Sequence, residues 1–110
     1  MSDDKPEDLD YFEWENNDEK FAFRVTSDAM IGDQIREGDY VVIRKANTAE
    51  DGQIVAFRDF DGTALLRRVQ HIKDSPNHYR VVSTQLDKFP TRIISNREIL
   101  GVLVGVVRKY

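Results

Sequence analysis

The residues with the clearest chemical potential sit around one turn. Phe21 to Val25 is an apolar, strand-like run that breaks at Thr26, Ser27 and Asp28 before Ala29 and Met30. A hydroxyl on such a turn becomes a nucleophile only when a base within hydrogen-bond reach takes its proton. Ser27 is the candidate hydroxyl, although a turn serine more commonly bonds its own backbone. Further along, Arg67 and Arg68 could bind an anion, but a guanidinium keeps its proton at neutral pH and cannot serve as a base. His71 and His78 could meet across a hairpin. With no Cys in the chain and no paired carboxylates beside them, no metal site is expected. Asp59 and Asp61 read as turn residues rather than an acid–base pair. Glycine-rich phosphate loops are absent, and no cofactor is expected.

The elements that must position these groups read as strand, turn, strand. Phe21, Phe23 and Val25 share one face. Tyr40 to Ile43 is a continuous apolar run, as in a strand buried on both faces. Gln53 to Phe57 and Thr63 to Gln70 flank Asp59-Phe60-Asp61-Gly62, where Asp-Gly suits a type I′ hairpin turn. A second hairpin turns at Asp74 to Asn77, with His78 to Val82 returning. Residues 85 to 90 look irregular. Glu98 to Arg108 is rich in β-branched residues, which favours a strand, and its Gly101 and Gly105 predict a bend or a close backbone approach. Met30 to Ile35 offers one helical turn at most.

A chain of 110 residues is long enough for one core. Its charge of −4 is uneven. Residues 1–20 carry nine acids against Lys5 and Lys20, leaving 11 acids and 14 bases in residues 21–110. Those bases are scattered and flanked by acids, so no clustered stripe for duplex binding is expected. No apolar run approaches the roughly 20 residues needed to span a bilayer. The acidic start has the wrong character for a targeting peptide. A cytoplasmic location and no membrane contact are therefore expected. Residues 1–20 read as an acidic tail or arm, with Tyr11, Phe12 and Trp14 able to anchor it to the domain at 21–110.

The order of these pieces resembles the LexA-type serine–lysine autopeptidase domain. Asp28-Ala29-Met30 stands where Asp-Ser-Met is common in that family. Arg36 to Ile43, Asn47 to Val55, Thr63 to Arg68 and Ile99 to Val107 follow in the family's order. The resemblance implies a mainly β fold of short, strongly bent antiparallel strands and hairpins, related to the signal-peptidase fold. It also implies a cleft lined by Ser27, Asp28, Met30 and Leu66, and a homodimer with Val102, Val104 and Val106 as interface candidates. Within that frame, the nucleophile position holds Ala29 and the general-base position holds Arg67, so neither half of the dyad is intact. Of the two arginines, one is expected to stack inside the cleft and the other to be solvated. Ser27 lies two residues from the nucleophile position, several Å along a strand. The small-residue bond that family members cut is also missing upstream.

Two readings follow from the resemblance. One is an inactive LexA-like domain that serves dimerisation or regulation of a repressor, contacting DNA only through an upstream module absent from this chain. Its cleft would remain open to a peptide or to the N-terminal arm. The other is a self-cleaving peptidase of the SOS response or of phage repression, frozen by a Ser-to-Ala change.

Overall fold

The computed structural model describes residues 19–108 together with the backbone of Tyr11 and Phe12. The expected acidic tail at 1–10 and the anchor at Trp14 lie outside the described residues. The strands are β1 (Tyr11–Phe12), β2 (Lys20–Arg24), β3 (Tyr40–Lys45), β4 (Ile54–Arg58), β5 (Ala64–His71), β6 (His78–Val82), β7 (Arg92–Ser95) and β8 (Ile99–Val107). They form one sheet in the order β1-β2-β3-β8-β4-β5-β6-β7. Every neighbouring pair is antiparallel. The mainly β architecture matches the expectation, and the only helical pieces among the described residues are 3-10 turns at Ile31–Asp33 and Asn96–Glu98. No helix among the described residues is long and apolar enough to cross a membrane.

The sheet folds over two apolar clusters. Phe21, Phe23, Val25, Met30, Ile35, Val41, Ile43, Ala56, Ala64 and Leu66 make the first, which underlies the turn at residues 26–30. Val55, Phe57, Val69, Tyr79, Val81, Ile94, Ile99 and Val102 make the second. Three consecutive β3 residues, Val41 to Ile43, are buried, as their unbroken apolar run predicts. Val102, expected at a dimer interface, is only 3% exposed and belongs to the second cluster. Val104 and Val106 are exposed.

Two local expectations are corrected by the backbone. At the β4–β5 hairpin Gly62 takes a positive φ but Asp61 does not, so the turn is not type I′. Gly62 N–H instead donates to Asp59 O at 2.9 Å and Asp59 N–H to Thr63 O at 2.8 Å, the pattern of a turn followed by a glycine bulge. Strand β7 was not foreseen. Its four residues include only two apolar ones, and Ile93 points to solvent.

One ion pair closes the sheet where β3 begins and β8 ends. Arg108 Nε donates to Asp39 Oδ1 at 3.0 Å and its Nη2 to Asp39 Oδ2 at 2.9 Å. Arg36 N–H adds a third bond to Asp39 Oδ2 at 2.9 Å. The Arg108 bond holds the Asp39 carboxyl below the usual carboxylate range; burial opposes it, and the Arg36 N–H reinforces it. A depressed native pKa means this stability is present above the unfolded value of 3.8 and lost as pH falls through the native one. Asp39→Asn is expected to cost about 2 kcal/mol at neutral pH, the scale of a hydrogen-bonded charged group. Urea unfolding should show the gap to the parent shrinking as pH drops below 3.8.

Candidate functional site

The turn after β2 is built by being held from outside. Ala29 is 2% exposed, and its carbonyl accepts from Thr84 N–H at 3.0 Å, from Thr84 Oγ1 at 3.1 Å and from the Ser83 hydroxyl. Gln85 Nε2 donates to the preceding carbonyl, Asp28 O, at 2.8 Å. Thr84 Oγ1 also accepts from Gly32 N–H at 2.9 Å. Residues 83–85 therefore clamp residues 28–32 against the end of β6. These contacts bridge more than fifty positions of chain, and no local pattern announces them.

A second tie comes from β5. Arg68 Nη2 bonds Asp33 Oδ1 at 2.6 Å, and Arg68 Nη1 donates to Gly52 O. Arg68 is thus not the solvated arginine expected from the sequence, because the 3-10 turn at Ile31–Asp33 presents it with a carboxylate. Arg67, its neighbour on the other face of the strand, is 8% exposed and lies over the Phe89 ring at 5.1 Å. That stacking was anticipated for one of the pair.

Between these ties lies a cleft. Its lining includes Phe23, Ser27, Ala29, Met30, Leu66 and Arg67. Ala29 and Arg67, distant in sequence, are therefore walls of one groove, with Ser27, Met30 and Leu66 beside them. Asp28, expected in the lining, is not part of it; its carboxylate turns outward, 3.9 Å from Lys88 Nζ. The accessible space is about 20 Å³, room for one water. The groove is thus a seam that a ligand would lie along rather than a chamber that would enclose it.

The chemistry available in the lining is narrow. Thr26 and Ser27 supply hydroxyls, and Arg67 is the single ionisable side chain there. Ser27 Oγ faces back to its own turn, accepting from Ala29 N–H at 3.4 Å. Burial lowers the Arg67 pKa, the nearby Arg92 charge lowers it further, and Asp59 opposes both. A guanidinium so perturbed remains a cation near neutral pH. The methyl of Ala29 carries no attacking atom. His71 is engaged elsewhere, its Nε2 at 2.9 Å from Ala49 O, and no cluster of metal-ligating side chains occurs among the described residues. Asp59 and Asp61 are turn residues, accepting from Phe60 N–H and Thr63 N–H respectively.

Comparison with known proteins places the chain in a family. A family model described as Peptidase S24-like matches residues 3–104. A LexA repressor of Syntrophotalea carbinolica is 44% identical over 98 residues, covering 84% of this chain and 45% of the relative. One from Lactobacillus delbrueckii subsp. bulgaricus is 38% identical over 90 residues, covering 82% and 42%. One from Anaeromyxobacter dehalogenans is 35% identical over 105 residues, covering 92% and 44%. The chain spans less than half the length of these curated relatives.

Proposed function

The chain belongs to the peptidase S24-like family, and from that premise we propose that it is a non-catalytic, LexA-like regulatory domain. It works by assembly and by peptide contact rather than by cutting. The observation that carries this reading is the cleft itself, where Ala29 and Arg67 are walls of one groove and no lysine stands in the lining. Acyl transfer needs an attacking oxygen and a proton acceptor in reach, and this lining offers neither at the positions the family uses. In this reading DNA contact belongs to a separate module, the domain pairs two such modules, and the protein works in the cytoplasm. The direct test is Ala29→Ser alone, offered a peptide containing an Ala-Gly bond. No cutting is expected, because Arg67 still cannot accept the proton. Cutting by this single variant would overturn the reading.

A peptidase frozen by a Ser-to-Ala change is the alternative, and one observation favours it. The carbonyl of residue 29 is still fixed by three hydrogen bonds, the rigidity a nucleophile's turn requires. Arg67 opposes it, since a single change at residue 29 suffices to silence such an enzyme.

Assembly finds support at the end of β8. Strand β4 pairs with β8 only as far as Val102, so residues beyond it pair with β3 alone. Val104, Val106 and Val107 are 50%, 42% and 38% exposed there. An apolar surface beside an open strand edge favours a second copy. Sedimentation at micromolar concentration should give a dimer. Val104→Glu or Val106→Glu should weaken it by at least about tenfold, the effect of roughly 1.4 kcal/mol. A parent protein that stays monomeric at high concentration would remove the assembly role.

A further inference from the structure

The upper half of β5 has a free edge. Ala64 to Arg67 pair with β4 on one side, while β6 begins pairing only at Arg68. The same four residues line the cleft. An unpaired strand edge beside a groove accepts an extended peptide through main-chain hydrogen bonds, and side chains along the groove then set the selectivity.

Arg67 is the side chain placed to do so. Its Nη1 donates to Leu66 O at 2.7 Å, which leaves most of its donors uncommitted. It makes no ion pair among the described residues. Arg92, the neighbouring guanidinium, is matched at 2.8 Å by Asp59. Asp59 also accepts from Phe60 N–H, so it is spoken for twice. A largely buried cation without a counter-ion is costly, and a carboxylate brought to it recovers that cost through charge-assisted bonds.

We infer that Arg67 makes the groove selective for extended peptides carrying an Asp or Glu side chain, whose carboxylate docks on the guanidinium while the peptide backbone adds to the free edge of β5. The inference rests on the reading of the cleft as a peptide-binding groove. The residue standing at the family's general-base position thereby becomes a specificity determinant, and the Phe89 ring, 5.1 Å from its guanidinium carbon, packs against it.

The test uses the full chain, isotopically labelled, and N-acetylated, C-amidated peptides of alternating Val and Ala with one central Glu or Gln. Titration followed by NMR should shift the amides of residues 64–67 and 27–30. The Glu peptide should bind at least tenfold more tightly than the Gln peptide. Arg67→Gln should erase that ratio, with thermal unfolding confirming that the variant is folded. Added salt should lower the ratio. A Gln peptide with a free C-terminal carboxylate should bind no better than its amidated form. If it binds as tightly as the Glu peptide, the receptor reads a chain terminus and the side-chain assignment fails. Equal binding of Glu and Gln peptides at the same amides would overturn the inference and spare the groove. Shifts from neither peptide at millimolar concentration would remove the groove and the inference together.

Discussion

Ala29→Ser combined with Arg67→Lys is expected to produce a peptidase where either change alone produces none. The serine would stand on a turn already fixed by the Ser83 hydroxyl, by Thr84 and by Gln85. Its Cβ would occupy the place of the Ala29 methyl, on the wall of the same groove that Arg67 lines. A lysine at 67 would inherit the surroundings that already push the arginine's pKa down, burial first and the charge of Arg92 second. Both disfavour the ammonium, so the amine should lose its proton below the ordinary lysine value of about 10.4. The neutral amine can then take the hydroxyl proton. Because nucleophile and base act as a unit, each single variant should stay at background, and the double variant should exceed it by on the order of 10³-fold. The rate on a peptide with an Ala-Gly bond should rise with pH and level off once the lysine is neutral. Mass spectrometry of the products from about pH 6 to pH 10 tests this, the range being set by the lysine's reference and lowered values. A double variant that never cuts would mean that the two walls do not approach closely enough for chemistry.

That expectation also marks how far the sequence carries the site. Ala29 and Arg67 could be assigned to one groove only through the resemblance to the LexA-type domain, whose order of strands and turns this sequence follows. Strands β3, β4, β5, β6 and β8 were legible from the residues themselves, their apolar runs being bounded by turn residues. What escaped notice is held by long-range, side-chain-to-backbone bonds. Gln85 read as the start of an irregular segment and Ser83 and Thr84 carried no reading, yet the three fix the carbonyls of Asp28 and Ala29. One of Arg67 and Arg68 read as solvated, yet Arg67 is buried and Asp33 captures Arg68. Asp28 read as a cleft residue through the resemblance, but its side chain turns outward towards Lys88. Val102 read as a surface valine, because strand alternation alone cannot tell which face is covered. Packing into the second apolar cluster, with Val55, Phe57 and Ile99, buries it. In each case the deciding partner is remote in sequence and polar, or is a whole neighbouring strand, so periodicity within a short window has no access to it.

The second large effect concerns the strand that joins the two cores. Gly101 was expected to mark a bend or a close approach, and the approach is severe. A Cβ there would lie 2.3 Å from Arg44 O and 2.5 Å from Ile43 Cγ2. The first of these is backbone, so rotating a side chain cannot relieve it. Strand β3 cannot retreat either, because β2 pairs along its opposite edge from Tyr40 to Arg44. On the other side of β8, Gly101 is paired with Ala56 of β4. Its φ is not in the left-handed region, so the constraint is steric crowding and not backbone preference. Gly101→Ala is therefore expected to cost at least about 3 kcal/mol, the upper end of overpacking penalties. For a domain near this size that lowers Tm by roughly 10 °C or more. Gly105 supplies the control. Its added Cβ would meet only Val42 Cβ, at 4.0 Å, which is ordinary contact. Gly105→Ala should change stability by less than about 1 kcal/mol, in either direction. Thermal and urea unfolding of the two variants side by side would separate the two causes. Equal, mild effects would mean that β3 and β8 are free to slide apart at Gly101. The two apolar clusters could then move relative to one another, and the groove beside Ala29, which rests on the first of them, would not be rigidly supported.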